Sequence, residues 1–363
     1  MKNNARNSNI ELLRIIAMGM IVMGHFIGQS GYAVQPMSHV DRFLVLLLSR
    51  ASRIGVNVFL IVGAWYLVDM RFKAVRVFKL YGTMLFYSSV FTLVALAIGS
   101  SASLKDIGRG FLPFFGRALW FVSAYITLLV ATPFLNDFFR LGERKQKGFL
   151  ILGFILICGV STLPEVQEGY LVDSLWFWFV YLAVGFCKKK VLSGQTKMFE
   201  QSKCWAVIGI LVYVALVLTV YAEVCCPGNR IVSLAAKLSG QYLSDIKTLP
   251  NFFIAFLVTQ YFFNLKPRTH AIVNRAASYT LSVYCFHQVP ALIPVVWNYF
   301  SCKNFDFLHF KWLIPVAIYA AIFFVVILIE EVVRKPIGKW MLSLQLVQRL
   351  IERLDQLMSF PPA

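Results

Sequence analysis

Charge is what this chain has least of: Asp, Glu, Lys and Arg make up 14% of its 363 residues, against roughly a quarter in a typical soluble chain. Acidic residues are scarcer still, 17 against 35 basic ones. Histidine occurs five times. No CxxC pair and no His/Cys cluster has zinc-ligand spacing, so no metal site is expected. Cleavable-signal features are also missing, because the first apolar stretch has no small-residue cleavage site and continues into a full span. Internal repeats, low-complexity segments and any polar stretch able to make a soluble domain are absent as well. What fills the chain instead is apolar: 59% hydrophobic residues, 33 of them Phe, and a mean hydropathy of +0.70. Such a chain is solvated by lipid.

The net charge of +18 could suggest nucleic acid, but the basic residues sit in short loops between apolar runs, as membrane orientation requires. No nucleic-acid partner is expected. About ten stretches have the length that a bilayer needs: 10–30, 54–69, 80–99, 119–136, 148–163, 174–187, 205–222, 248–264, 278–298 and 312–333. Gly31, Pro36, Gly99, Pro113, Pro164, the Pro227-Gly228 pair and Pro267 punctuate them. With the N-terminus cytoplasmic, most Lys and Arg fall inside, among them Arg71/Lys73/Arg76/Lys79, Arg140/Arg144/Lys145/Lys147 and Lys188–Lys190. The loop holding Glu165, Glu168 and Asp173 then lies outside. An even span number also returns the basic tail to the cytoplasm. That tail repeats apolar residues at Val347, Leu350, Ile351, Leu354, Leu357 and Met358, the pattern of an amphipathic helix on the inner membrane surface or against a second subunit of a homodimer. The fold class is therefore all-α, a polytopic membrane helix bundle with a C-terminal amphipathic helix. Cys158, Cys187 and Cys285 read as small apolar fillers of spans; Cys225, Cys226 and Cys302 fall in outer loops where a disulfide is open to them.

Ionisable groups inside such spans are costly, about 2.5–3.5 kcal/mol for an arginine at a helix centre, and are retained where they face a cavity, a partner or a substrate. Arg14 and His25 are eleven residues apart on the first span, about 16 Å of rise and within roughly 20° of one helical face. Glu11, one turn earlier, can pair with Arg14; an interfacial salt bridge with Arg14 snorkelling is the alternative. Arg50 and Arg53, three apart, project from one side of a helix and can grip an anion through paired hydrogen bonds, or anchor on headgroups. The topology puts them outside, unless 43–68 is one long helix that carries them into the interior. Gly55 and Asn57 suit close packing and a buried hydrogen bond. Trp120 suits an aromatic belt or stacking on a sugar ring. Ser123, Tyr284 and His287 add polar groups to later spans, His287 about mid-span and either cavity-lining or bonded to a neighbouring helix.

These segments together resemble the acyltransferase-3 family of bacterial membrane proteins. The opening signature of an acidic residue, Leu-Arg and a later His is matched by Glu11, Leu13-Arg14 and His25. Its Arg-x-x-Arg is matched by Arg50 and Arg53, its Gly-Val-Asn-x-Phe by Gly55–Phe59, and its Leu-Trp-Phe and late Tyr-x-x-His by Leu119–Phe121 and Tyr284–His287. The chain departs at Gly24, where many relatives carry a second His, at Gly63-Ala64 and at Ala118. The resemblance implies a membrane domain over 1–335 with a cytoplasmic tail over 336–363, in a bacterial cytoplasmic membrane. It implies acetyl-CoA as donor and a hydroxyl of a surface polysaccharide or lipid-linked glycan as acceptor. His25 would then be the base or acyl carrier, with Arg14, Arg50 and Arg53 holding the anionic donor. Glu11, Asn57, Trp120, Ser123, Tyr284 and His287 would line the substrate. A transporter or flippase built on the same buried charges is the competing reading.

Overall fold

A computed structural model describes residues 6–32, 36–115, 119–162, 170–192, 201–299 and 310–358. Ala118, Pro164, Glu165, Glu168 and Cys302 lie outside the described residues. Regular structure among the described residues is all helical. Among the described residues, six helices are long and apolar enough to cross a membrane. They begin at α1 (Ser8–Gln29), α2 (His39–Leu67), α3 (Ala74–Ala97), α5 (Trp120–Leu135), α8 (Ser202–Cys225) and α14 (Leu313–Ile329). The short α4 (Leu104–Phe111) follows α3. The other expected spans fall on α6 (Glu143–Thr162), α7 (Tyr170–Leu192), α10 (Leu249–Asn264) and a broken segment described below. Between α8 and α10 comes α9 (Arg230–Tyr242).

Local chemistry sets the helix starts. Asn7 caps α1 by accepting from the Asn9 amide at 3.1 Å, and Glu11 in the first turn suits the positive end of the helix dipole. Ser38 caps α2, accepting from the Asp41 amide at 3.1 Å while its own hydroxyl donates to the Asp41 carboxylate at 2.7 Å. From there α2 runs 29 residues, about 43 Å, straight through Arg50 and Arg53. The arginines therefore stand inside a helix and not in an outer loop, because nothing between Ser38 and Leu67 breaks helical hydrogen bonding.

α1 and α2 are in backbone contact. A Cβ on Gly24 would sit 2.4 Å from the Cβ of Ser52, and one on Gly55 would sit 2.6 Å from the Ala17 carbonyl oxygen. Small residues at both points let the two helices close up, the usual basis of association where lipid supplies no hydrophobic drive. Gly24, the departure from the family pattern, is thus a packing position here.

The expected span 278–298 is broken. Short helix α11 (Ala271–Ala277) leads into α12 (Thr280–His287), and α13 (Ile293–Tyr299) follows a non-helical stretch holding Pro290. Proline has no amide hydrogen to continue the helix and restricts the residue before it. His287 is accordingly the last residue of a short helix, not a mid-span residue. Among the described residues, α12 packs on α1, α3 and α14.

One end of α12 is tied by a buried carboxylate. At the foot of α14 the chain makes a π-helical turn, Glu330–Arg334. Glu330, 1% exposed, accepts from the Tyr87 hydroxyl at 3.0 Å, the Ser282 hydroxyl at 2.6 Å and the Arg334 guanidinium at 2.6–2.9 Å. Arg334 also donates to Thr83 at 3.2 Å. The next residue, Glu331, bonds Tyr279 and Lys335. α3, α12 and α14 are thereby cross-linked by polar groups that lipid could not solvate.

The tail forms α15 (Lys335–Ser343) and α16 (Gln345–Leu357). The Asp355 carboxylate accepts from the Ala74 amide at 2.6 Å, so α16 caps the start of α3. Leu346 and Leu357 stay more than three-quarters exposed, as an apolar stripe laid against lipid would be in a chain taken alone. Cys225 and Cys226 are free thiols.

Candidate functional site

Two histidines from opposite ends of the chain meet. His25, near the C-terminal end of α1, has its Nδ1 2.9 Å from Nε2 of His287, and the ring centroids are 5.2 Å apart. His287 is buried, 5% exposed, while His25 is only half-buried. The second nitrogen of His287, Nδ1, donates to the Val283 carbonyl at 2.7 Å. Tyr284 stands edge-on to His287 with centroids 5.7 Å apart and packs on Phe121. His287 thus bonds a neighbouring helix, and it also lines a small apolar cavity with Phe286, Leu292, Ile293, Val296 and Ile322.

Arg53 joins this pair to a cavity. Its charge reaches His25, and its Nε donates to the Ser244 carbonyl at 2.7 Å. The cavity, about 210 Å³, is lined by Arg53, Trp120, Asp173, Ser244, Asp245 and Ile246. It combines a cation, two carboxylates, a hydroxyl and an indole in one small space, a lining suited to a polar ligand with an apolar face. The carboxylates also act on Arg53 electrostatically.

The loop between α9 and α10 supplies half of that lining and is fixed by its backbone. Its carbonyls are taken in turn: Ser244 by Arg53, Asp245 by Asn251 at 2.7 Å and Thr248 at 3.0 Å, Ile246 by Asn57 at 2.7 Å. Beneath it Lys247, 3% exposed, binds Asp173 at 2.8 Å and Asp245 at 3.2 Å. Burial alone would lower the Lys247 ammonium, but hydrogen bonds and charge from the two aspartates outweigh it and hold it above its ordinary range.

The residues expected from sequence divide into two levels. Glu11 and Arg14 pair at 2.9 Å near the N-terminal end of α1, and Arg14 lies 5.6 Å from the Phe59 ring centre. Eleven residues, about 16 Å of rise, separate Arg14 from His25, and the structure does not bring Arg14 to Arg53. Arg50 does not line the cavity; its Nε is buried with no hydrogen-bond partner among the described residues. Asn57 spends both ends of its amide on structure, donating to Ile246 and accepting from Trp176 Nε1 at 3.1 Å. The Ser123 hydroxyl donates to the Phe114 carbonyl at 3.1 Å. These two hold the walls and do not face the cavity, because each polar group is already consumed by backbone or side chain. Trp120 does line it.

Sequence reasoning missed Asp245 and Lys247, and placed Asp173 only as an outer-loop residue. The available signal was a DxK pair directly before a span, where both charges would need partners.

A family model described as an acyltransferase domain matches residues 7–330. No curated protein and no solved structure matches the chain. The matched stretch takes in both histidines, Arg50, Arg53, the cavity and Glu330. On that match, over most of its length, the chain belongs to the acyltransferase-3 family of membrane acyltransferases.

Proposed function

We propose that this protein transfers an acetyl group from acetyl-CoA to a hydroxyl of a cell-surface polysaccharide or lipid-linked glycan. The observation that carries the proposal is the half-buried His25, bonded to His287 and within reach of the charge of an arginine that lines a polar cavity. A sugar hydroxyl is a weak nucleophile at neutral pH, and a neutral imidazole can take its proton as it attacks a thioester carbonyl. In that step the new C–O bond forms and the C–S bond breaks. The proton passes from the hydroxyl to His25 and then to the departing thiolate. The developing oxyanion needs a positive group nearby, and Arg53 is the cation that the site offers. Asp173, Asp245 and Ser244 suit hydrogen bonding to the hydroxyls of a sugar, and Trp120 suits stacking on its ring.

The chain sits in a bacterial cytoplasmic membrane with both termini cytoplasmic, on this reading. The basic groups at Arg71–Lys79, Arg140–Lys147 and Lys188–Lys190 then face the cytoplasm and attract a donor that carries phosphates. Arg14, at the same end as these groups, meets the donor first. His25 lies about 25 Å along α1 from Ser8, so a long, thin donor such as acetyl-CoA must present its thioester well into the bundle. The acceptor comes to the cavity from the other side.

Mass spectrometry of surface polysaccharide, with and without the gene, tests this reading. The expected result is loss of acetyl mass in the deletion, restored by the wild-type gene and not by His25→Ala at equal membrane expression. Restoration by His25→Ala would overturn it. So would substrate flux through purified protein in proteoliposomes with no turnover of acetyl-CoA.

A further inference from the structure

We infer that His287 is a positioning residue that fixes the tautomer of His25 and leaves Nε2 of His25 as the atom that takes the acceptor proton. The inference rests on the reading of His25 as a base and adds which of its two nitrogens acts, and why.

The argument starts at the far end of the chain of bonds. The Val283 carbonyl can only accept, so His287 Nδ1, 2.7 Å away, carries a hydrogen. A neutral imidazole has one N–H and one lone pair, so His287 Nε2 is then an acceptor. It lies 2.9 Å from Nδ1 of His25, which must supply the hydrogen for that contact. His25 is therefore the Nδ1–H tautomer, and its lone pair is on Nε2. Two imidazolium rings could not make this contact, since each would set an N–H against the other. The pair accordingly holds at most one added proton.

The same geometry follows that proton through the reaction. The acceptor hydroxyl gives its proton to His25 Nε2 as its oxygen bonds the acyl carbon. His25 becomes an imidazolium whose Nδ1–H still donates to His287. The proton leaves again from Nε2 to the thiolate, and the starting tautomer returns with no change in His287. A carboxylate is the usual partner that holds a catalytic imidazole in one tautomer. Here a second imidazole, itself anchored to a helix carbonyl, does so without placing a negative charge in the bundle. The break at Pro290 contributes directly, because α12 ends at His287 and the ring is anchored within its own last turn.

The test is nitrogen NMR on the full chain in bilayers, with ¹⁵N-histidine and His25→Asn and His287→Gln variants used for assignment. At neutral pH His25 is expected to show a protonated Nδ1 and an unprotonated Nε2. The reverse pattern in wild type would overturn the inference. In kinetics, His287→Ala should lower kcat by about 100-fold or more, since a misplaced tautomer costs up to about 10⁴ in the best-studied triad, while KM for the donor stays within about twofold. His287→Gln, whose amide oxygen can accept from His25 Nδ1, should recover most of that loss. Full activity in His287→Ala, or no recovery in a folded His287→Gln, would overturn the positioning role. The NMR arm reads the tautomer whether or not acyl transfer occurs, so failure of the acyltransferase reading would show separately, as a correct tautomer in a protein without turnover.

Discussion

Two buried polar clusters share α12, and they are opposites. At its start, Ser282 joins Tyr87 and Arg334 around Glu330, and the carboxylate is surrounded by donors. At its end, His287 bonds His25, whose other nitrogen has no hydrogen-bond partner among the described residues, and the nearby Arg53 opens on a cavity. The first cluster is closed and the second is open. A costly charge in a membrane bundle is therefore no sign of chemistry by itself; what separates the two is unspent hydrogen-bonding capacity. Glu330 holds the helix on which His287 rides, and His287 holds the ring that the reaction would use.

Mutation should split the clusters by kind of effect. Glu330→Ala leaves the partly buried Arg334 without its counter-charge and strips the Tyr87 and Ser282 hydroxyls of their acceptor, and breaking a buried pair costs up to about 3–5 kcal/mol. Thermal unfolding of the purified protein should fall sharply, with activity lost along with folded protein. His25→Ala should do the reverse: acyl transfer drops by about 10²–10⁴ while the unfolding midpoint barely moves. If Glu330→Ala kept its stability and lost only turnover, the closed cluster would have to be moved to the catalytic side.

Arg53 sharpens the open side. Arg53→Ala removes a charged hydrogen bond to Ser244 together with the cation at the cavity wall. Bonds to charged groups are worth about 1.5–3 kcal/mol, so kcat/KM should fall by about 10- to 100-fold. Arg50→Ala should fall less, because Arg50 does not reach the cavity. Equal losses in steady-state assays of the two variants would show that the pair works as one anion grip.

The smallest effect concerns Lys247. Its folded pKa lies above the unfolded value of about 10.5, so the stability it adds is complete below about pH 10.5 and drains away as pH rises through the folded value. The melting temperatures of wild type and Lys247→Met should differ by a constant amount from pH 7 to 10 and converge above about 10.5. A gap that persists into strong alkali would mean that packing, not charge, secures the loop.

The helical bundle was legible because length and hydropathy are one-dimensional properties. His25, Arg53 and Trp120 were legible too, through motifs in family order. The division between Arg14 and Arg53 was not, since it depends on the antiparallel register of α1 and α2, set where Gly24 and Gly55 allow the backbones to touch. His287 was placed mid-span although Pro290 stood three residues on, a break that apolar composition alone conceals. The Asp173–Lys247–Asp245 bridge joins residues more than seventy positions apart, and the anchoring of Leu243–Thr248 runs largely through carbonyls, which have no sequence signature. The π-helical turn at Glu330 likewise leaves no mark on hydropathy.

That anchoring through carbonyls has a consequence for re-engineering. The path of the α9–α10 loop is dictated by Arg53, Asn57, Thr248 and Asn251, while Ser244 lends it a carbonyl and one local hydroxyl bond to the Gln241 carbonyl, and Ile246 a carbonyl and a buried side chain. The exposed Ser244 side chain is thus the exchangeable element on a fixed frame. A library at Ser244 should alter which acceptor is taken without disturbing the histidines, whereas the same diversity at Gly24 or Gly55 would pry apart the helices that aim them.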